Sequence, residues 1–431
     1  MDQMGKRAKA LLLLLVLLAG GWSVFAAEYA VYGEKWALAE GNPHGRRGIV
    51  TDRNGILLRD LGKELYPEHE VLRQATAHWV GDRDGNIHTP VLDHFKSQLL
   101  GYGPLTGLYS FSGQNLATMT ISAQVQITAL EAMEGRRGVV AVYNYKTGAV
   151  LCALSASGHD EGRYLNRFLQ GVYTPGSVFK IVTAAAALHY IEDILDQEFS
   201  CTGKVEYKNG VVTCERVHGK LDLYGAMRES CNCVFARISQ QLGAEKLQRF
   251  AAQCGITEAL DFDGAVSAKG KIAPGRGAEL AWAGIGQHED LVNPASFLAF
   301  LGTVANGGQG YRPYIMERIT EDGSTVYQAK PGKDDRKISG AVAAELKKIL
   351  RGNVKNNYGD GHFPGLQVCA KTGTAQVGGG KKATALLAGF AENYPLAFVV
   401  IVEEGGYGRA ACIPIAAKVL AACKKEMDKS E

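Results

Sequence analysis

The sequence predicts an α+β fold in which helices flank a central antiparallel sheet, with a small N-terminal module and a single membrane anchor ahead of it. Three observations carry that prediction. Five short apolar runs, at 139–142, 149–154, 366–374, 384–391 and 396–403, read as strands, and the short links joining them fit antiparallel neighbours. One long interval separates the second run from the third and reads as all-helical. The N-terminus carries a continuous apolar stretch behind a basic flank. Size and composition agree, since 431 residues leave room for two or three domains and 46% hydrophobic with 21% charged residues is ordinary for a folded chain.

Lys6, Arg7 and Lys9 precede the apolar run 10–27, ALLLLLVLLAGGWSVFAA, which is near the minimum of about 17–20 residues for a spanning helix. Basic flanks stay on the cytoplasmic side, so 1–9 reads as a cytoplasmic tail and everything after Glu28 as extracytoplasmic. A cleaved signal peptide is the competing reading, because Val24-Phe-Ala26 and Ala27 offer a small-residue cleavage site. Residues 28–115 form a polar module, Gly-rich at Gly81-Asp-Arg-Asp-Gly85 and Gly101-Tyr-Gly-Pro104, that fits a pedestal above the membrane. The main domain runs over 116–431 and closes on a helix at 414–424.

Within that domain, Ser177-Val-Phe-Lys180, Ser230-Cys-Asn232 and Lys371-Thr-Gly-Thr374 follow one another. Thr174-Pro175-Gly176 reads as a turn and 178–190 as an almost wholly apolar, buried helix, with Ser177 at its first turn. Residues three apart share a helix face, so the Lys180 amine can approach the Ser177 hydroxyl. Burial disfavours the ammonium form, which suits a lysine that must accept a proton near neutral pH. Free backbone N–H groups at the helix start can hold an oxyanion. A serine capping a core helix that carries one snorkelling lysine fits the same residues. Ser230-Cys-Asn232 lies between helical stretches at 221–228 and 234–242, the second stopped by Gly243, and reads as a proton relay and substrate contact or as a plain helix cap. Lys-Thr-Gly occurs twice. Lys146-Thr-Gly148 lies between two apolar runs and reads as a hairpin turn without a catalytic role, whereas Lys371-Thr-Gly-Thr374 falls on a strand. Glycine within a strand marks close approach of a ligand or another backbone, which directs attention to Gly373. Lys371 and Thr372 offer donors to a carboxylate.

The nine cysteines leave at least one thiol unpaired within the chain. A hairpin over 205–213, turned at Asn209-Gly210, sits between Cys201 and Cys214, so a bridge between those two requires the chain to fold back near Thr202-Gly203. Cys201, Cys214 and His218 as metal ligands is the alternative, while Cys231 and Cys233 read as small core residues. The expectation is no metal and no cofactor, because His-Glu-x-x-His and paired Cys-x-x-Cys are absent. No basic cluster interleaved with aromatics points to nucleic acid, and a net charge of +3 excludes nothing further.

With these motifs the chain resembles the class B penicillin-binding proteins, the monofunctional D,D-transpeptidases of peptidoglycan synthesis. Arg47-Gly-Ile-Val-Thr-Asp-Arg-Asn-Gly-Ile-Leu-Leu58 is similar to the box that opens their extracytoplasmic part, and Met119-Thr-Ile-Ser-Ala-Gln-Val-Gln126 to the start of their catalytic domain, which carries Asp where Ser122 stands. Ala283-Gly-Ile-Gly-Gln287, Asn293-Pro294 and Ala305-Asn-Gly-Gly308 match further stretches. The resemblance implies a β-lactamase/transpeptidase-like sandwich. It implies Ser177 as acylated nucleophile, Lys180 as its base, and Ser230 with Asn232 as relay and substrate contact. Lys371, Thr372, Gly373 and Thr374 would form the substrate-binding strand, and the N–H groups of Ser177 and Thr374 the oxyanion hole. Substrates would be peptidoglycan stem peptides and β-lactams, the setting a bacterial cytoplasmic membrane, and a membrane glycosyltransferase a partner.

Three other readings use the same residues. A D,D-carboxypeptidase hands the acyl group to water. A β-lactamase has no use for the anchor or the Asp52-Arg-Asn-Gly module. A non-catalytic cell-wall scaffold gives no reason to hold a lysine in an apolar helix at a desolvation cost of a few kcal/mol.

Overall fold

Every residue of strands Thr384–Ala391 and Leu396–Val402 is buried, which explains why the second reads LAFVVIV without a polar position. Both faces of their sheet are covered by helices, so the usual in-out alternation of a half-exposed antiparallel sheet is lost. The computed structural model describes residues 2–37, 48–100, 102–103, 107–108, 115–158 and 164–429. Arg47, Gly101 and Pro104 of the sequence motifs lie outside them.

The central sheet has five strands in the order Val368–Ala375, Thr384–Ala391, Leu396–Val402, Arg137–Asn144, Val150–Ser157, with every pairing antiparallel. These are the five runs expected. Val139, Ala141 and Tyr143 join one core and Val140 and Val142 the other, as a period of two requires. Helix Pro294–Ala305, buried along its whole length, covers the first face, and Gly408–Asp428 with Ala123–Met133 covers the second. The C-terminal helix begins six residues before the predicted Pro414, which stands inside it. Buried Ala411, Cys412 and Ile413 reward extending the helix ahead of the proline. Lys146-Thr-Gly148 is a turn, with the Asn144 carboxamide accepting the N–H groups of Lys146 and Thr147.

A second five-stranded sheet runs Ser324–Gln328, Met316–Glu321, Asn115–Met119, Gly48–Thr51, Leu57–Asp60. Its strands come from both sides of the 115/116 division, so the interval between the second and third central strands is not all-helical. The Asp-Arg-Asn-Gly run has a clear physical use here. Buried Asp52 accepts the N–H groups of Asn54 and Ile56 (both 2.8 Å), closing the turn, and with its other oxygen accepts Ala123 N–H (2.9 Å) at the start of helix Ala123–Met133. A carboxylate at a helix N-terminus is favourable, and it staples the small module to the main domain. Ser122 caps the same helix through Val125 N–H.

Helix Gly340–Asn353 and the turn at Gly176–Phe179 pack against the edge of the central sheet formed by the Lys371 strand, and Lys180–Tyr190, Leu223–Arg228 and Asn232–Leu242 pack on one another and, for the first two, on that helix. The hairpin pairs Lys204–Tyr207 with Gly210–Thr213 through a Lys208-Asn209 turn, one residue earlier than predicted. Tertiary contacts set that register, because the Asn209 carboxamide accepts Ala278 N–H and donates to Arg276 O. Among the described residues one helix, Asp2–Ala37, is long and apolar enough to cross a membrane, and its most apolar stretch buries nothing within the protein.

Candidate active site

Gly176 adopts φ +55°, and a Cβ there would lie 2.9 Å from Thr374 O, so only glycine lets this turn rest against the Lys371 strand. Gly373 meets it from the other side, where a Cβ would approach Pro175 O and Val178 Cγ1 to 3.1 Å. Two glycines thus press the Ser177 turn onto the strand. Residues Gly176–Phe179 form a 3₁₀ turn that leads into helix Lys180–Tyr190, rather than one helix beginning at Val178. Tight first turns of this kind are common at helix starts. Ser177 is half-buried on the turn and Lys180 is the first residue of the α-helix, fully buried.

The Lys180 amine lies 2.6 Å from Ser230 O, 3.1 Å from Ser230 Oγ and 2.7 Å from Asn232 Oδ1, and under the Phe235 ring. Among the described residues no hydrogen bond joins Ser177 Oγ to this amine. Burial pushes the Lys180 pKa well below its ordinary 10.5, and neighbouring Lys371 pushes the same way, against the thiols of Cys214 and Cys231 and the Glu215 carboxyl. A neutral amine donates two protons and accepts one. It can donate to Ser230 O and Asn232 Oδ1 while its lone pair faces a hydroxyl.

Ser230 itself holds a left-handed φ of +52°, unusual for a serine, which costs of order 1 kcal/mol and persists only where surroundings enforce it. Its carbonyl is tied to Lys180, and Asn232 Nδ2 donates to Thr213 O of the hairpin at 2.9 Å. The turn is therefore held from two sides.

The Lys371 strand is an edge strand, leaving one row of backbone groups unpaired by the sheet. Thr372 N–H points to that outer edge, donating to Tyr358 Oη at 2.9 Å, and Asn353 Nδ2 donates to Ala370 O at 2.8 Å on the same edge. Alternation along an antiparallel strand puts Thr374 N–H on this outer side too, toward the Ser177 turn. The Lys371 side chain is buried, donates to Thr372 O, and has its pKa pulled down to about 7 by burial, with Glu215 opposing.

These groups face one cleft of about 1060 Å³, lined by Ser177, Ser230, Asn232, Lys371, Thr372, Gly373 and Thr374, with Lys180 buried beneath. Polar groups converging from distant parts of a chain on one hollow are what a reaction site requires. The arrangement can move a proton from a hydroxyl to an amine, hold a carboxylate and stabilise an oxyanion. Sequence reasoning missed Tyr358, whose hydroxyl organises Thr372 and Asn353 from a π-helical turn, and Glu215, which lines the cleft and whose charge opposes the lowering of both lysines' pKa. Neither carries a local pattern that would single it out.

Comparison with known proteins identifies the family and the fold. The model of the penicillin binding protein transpeptidase domain matches residues 138–421. Peptidoglycan D,D-transpeptidase PbpA of Mycolicibacterium smegmatis is 28% identical over 363 residues, 73% of this chain and 73% of that protein. Stage V sporulation protein D of Bacillus subtilis is 28% identical over 288 residues, 60% of this chain and 44% of that protein. In fold, the ceftriaxone acyl-enzyme complex of penicillin-binding protein A from M. tuberculosis superposes with a TM-score of 0.75 at 23% identity, covering 88% of this chain and 98% of that one. The D,D-transpeptidase domain of a peptidoglycan glycosyltransferase from Eggerthella lenta gives a TM-score of 0.75 at 24% identity, covering 89% and 99%. Because the family match runs from the first strand of the central sheet into the C-terminal helix and so takes in the whole cleft, this chain belongs to the penicillin-binding protein transpeptidase family.

Proposed function

We propose that this protein is a class B peptidoglycan D,D-transpeptidase that crosslinks stem peptides through an acyl-enzyme on Ser177 and is acylated there by β-lactams. The observation that carries the reading is the meeting of Ser177, the Lys180 amine with Ser230 and Asn232, and the Lys371 strand at one cleft. Family membership and the resemblance to a named D,D-transpeptidase support the reaction class.

In acylation, Ser177 Oγ attacks the carbonyl between the two terminal D-alanines while its proton passes to the neutral Lys180 amine. The oxyanion is held by the N–H groups of Ser177 and Thr374. The peptide C–N bond breaks, the proton returns through Ser230 Oγ to the leaving nitrogen, and D-alanine departs. An amine of a neighbouring strand then attacks the ester, its lost proton restores the Ser177 hydroxyl, and a new amide remains. Lys371, Thr372 and Thr374 bind the terminal carboxylate, and Asn232 contacts the donor peptide. A β-lactam opens without losing a fragment from the cleft, which obstructs the acceptor.

The helix near the N-terminus serves as a single anchor with its basic flank in the cytoplasm, and the catalytic domain from about 116 onward stands outside on the 28–115 pedestal. A membrane glycosyltransferase that supplies the glycan strands is the fitting partner.

The test is labelling with a fluorescent penicillin, with the modified peptide located by mass spectrometry. Label on Ser177 that vanishes in Ser177→Ala is expected. Persistent label in that variant, or none in the wild type, refutes the assignment. A lipid-linked substrate should then yield crosslinked dimer, whereas trimmed monomer alone would identify a carboxypeptidase and rapid loss of label a β-lactamase.

A further inference from the structure

At the cleft, where Cys214 and His218 join its lining, four ligand-type side chains converge. Cys201 ends strand Phe199–Cys201 and pairs in register with Gly219, which brings the preceding His218 alongside it. Cys214 leaves the neighbouring hairpin with its N–H bonded to Gly203 O. Cys231 stands between Ser230 and Asn232. The Cys214 and Cys231 sulfurs are 3.7 Å apart, Cys201 Sγ is 3.4 Å from His218 Nδ1, and the four ligand atoms all lie within 4.8 Å of one another.

We propose that Cys201, Cys214, His218 and Cys231 bind one zinc ion, a closed structural site that clamps the Ser230 turn to the hairpin. Tetrahedral zinc with Zn–S of about 2.3 Å and Zn–N of about 2.0–2.1 Å demands sulfur–sulfur edges of about 3.8 Å and sulfur–nitrogen edges of about 3.5 Å. The Cys214–Cys231 and Cys201–His218 separations match those edges. They do not match a disulfide, whose sulfurs are about 2.05 Å apart, and none of the cysteines is bridged in the described residues. The bridge between Cys201 and Cys214 weighed from the sequence is replaced by a four-residue set, and Cys231, read there as a core residue, supplies its fourth member. Its spacing is Cys-x₁₂-Cys-x₃-His-x₁₂-Cys, too open to be recognised along the chain.

Three soft thiolates and one neutral imidazole select zinc among the common divalent ions, and binding releases three thiol protons. Cys201 and Cys231 are buried and the other two half-buried, so all four positions are protein ligands and none is left for water. The Cys214 sulfur also accepts Cys233 N–H at 3.3 Å, the kind of surrounding contact that orients a thiolate ligand.

The consequence for the cleft rests on the acyl-enzyme reading above. Cys231 follows directly on Ser230, whose left-handed backbone needs enforcement from outside, and a metal–sulfur bond at the next residue supplies it. The cluster residues are positioning residues, since they touch the turn that carries Ser230 and Asn232.

The test uses the full chain in detergent, kept reduced and loaded with zinc, with metal counted by elemental mass spectrometry after removal of excess. About one zinc per chain is expected in the wild type, in Ser177→Ala and in Cys412→Ser, and loss of it in Cys201→Ser and His218→Ala. Cobalt loaded into the wild type should give thiolate-to-metal charge-transfer absorption, which needs no variant to fold. Absence of metal, retention in both cluster variants, or a Cys214–Cys231 disulfide in the loaded protein overturns the site. Chelator-stripped protein should take up fluorescent penicillin about tenfold to a hundredfold more slowly and recover with zinc. Unchanged uptake overturns the clamp. A zinc-loaded chain that takes up no penicillin supports the metal site and overturns the acyl-enzyme reading instead.

Discussion

Replacing Lys371 by methionine should destroy activity and stabilise the fold, and the size of the second effect follows from burial. The side chain is 2% exposed, and its pKa falls from 10.5 to about 7, burial being the main cause and Glu215 opposing it. Unfolded, the lysine keeps its proton up to about 10.5. Between the two values the unfolded chain therefore holds more protons than the native one, and stability rises with pH across that window. The penalty is fully present below about pH 7 and gone above about 10.5. At about 1.4 kcal/mol for each tenfold change in affinity, its ceiling is about 5 kcal/mol. The open cleft admits water beside the amine, so about 2 kcal/mol is the figure to expect. Methionine keeps the length of the side chain and loses one hydrogen bond, to Thr372 O at 3.0 Å. Urea unfolding of wild type and Lys371→Met, followed by tryptophan fluorescence at pH 6.5 and pH 9.5, measures the difference. The variant should lead by about 2 kcal/mol at pH 6.5, and the lead should shrink by about a third or more at pH 9.5. A variant no more stable than wild type at pH 6.5, or a gap that ignores pH, refutes the claim that a desolvated cation sits at this position.

The same two lysines set the pH dependence of acylation. Lys180 must be neutral and Lys371 charged, so the second-order rate of penicillin uptake should fall toward acid as Lys180 is protonated and toward alkali above about pH 7 as Lys371 loses its proton. Lys371→Arg keeps its charge at any accessible pH and should abolish the alkaline fall, while an unaltered profile sinks the assignment. Gly373→Ala places a methyl 3.1 Å from Pro175 O and Val178 Cγ1, both on the Ser177 turn. Acylation should drop tenfold or more with about 1–3 kcal/mol of lost stability, and a variant with wild-type uptake would show that the turn and strand need not touch. Tyr358→Phe removes the acceptor of Thr372 N–H and the partner of the Asn353 carboxamide, both buried or nearly so. A loss of about 1–3 kcal/mol in urea unfolding and a higher substrate KM are expected, and unchanged values for both would refute the role given to that hydroxyl.

The spacing of apolar residues along the chain was enough to place the central sheet. Five apolar runs became the five central strands because a strand buried on both faces must be continuously apolar, a local property. The two Lys-Thr-Gly triplets could be told apart for a similar reason, one lying between hairpin strands and the other inside a run. Ser177 and Lys180, three residues apart, were expected on one helix, yet Ser177 stands on a 3₁₀ turn and Lys180 opens the α-helix with its amine directed to Ser230 and Asn232. What failed did so where distant partners outvote local preference. Asn209-Gly210 is the stronger turn signal, yet contacts with Ala278 and Arg276 draw Asn209 into the turn one step earlier. Pro414 looks like a helix start, yet buried residues ahead of it extend the helix backward.

Sequence alone thus determined the central strands, the apolar N-terminal helix and the family to which the motifs belong. Only the tertiary structure decided what surrounds them. It turned the Lys180 amine toward Ser230 and Asn232, brought the Tyr358 hydroxyl to Thr372 and Asn353, drew strands from 316–328 into the small module's sheet, and gathered Cys201, Cys214, His218 and Cys231 within 4.8 Å. Periodicity is set by neighbours a few residues apart, whereas a depressed pKa or a four-ligand cluster depends on groups that meet only when the chain closes on itself.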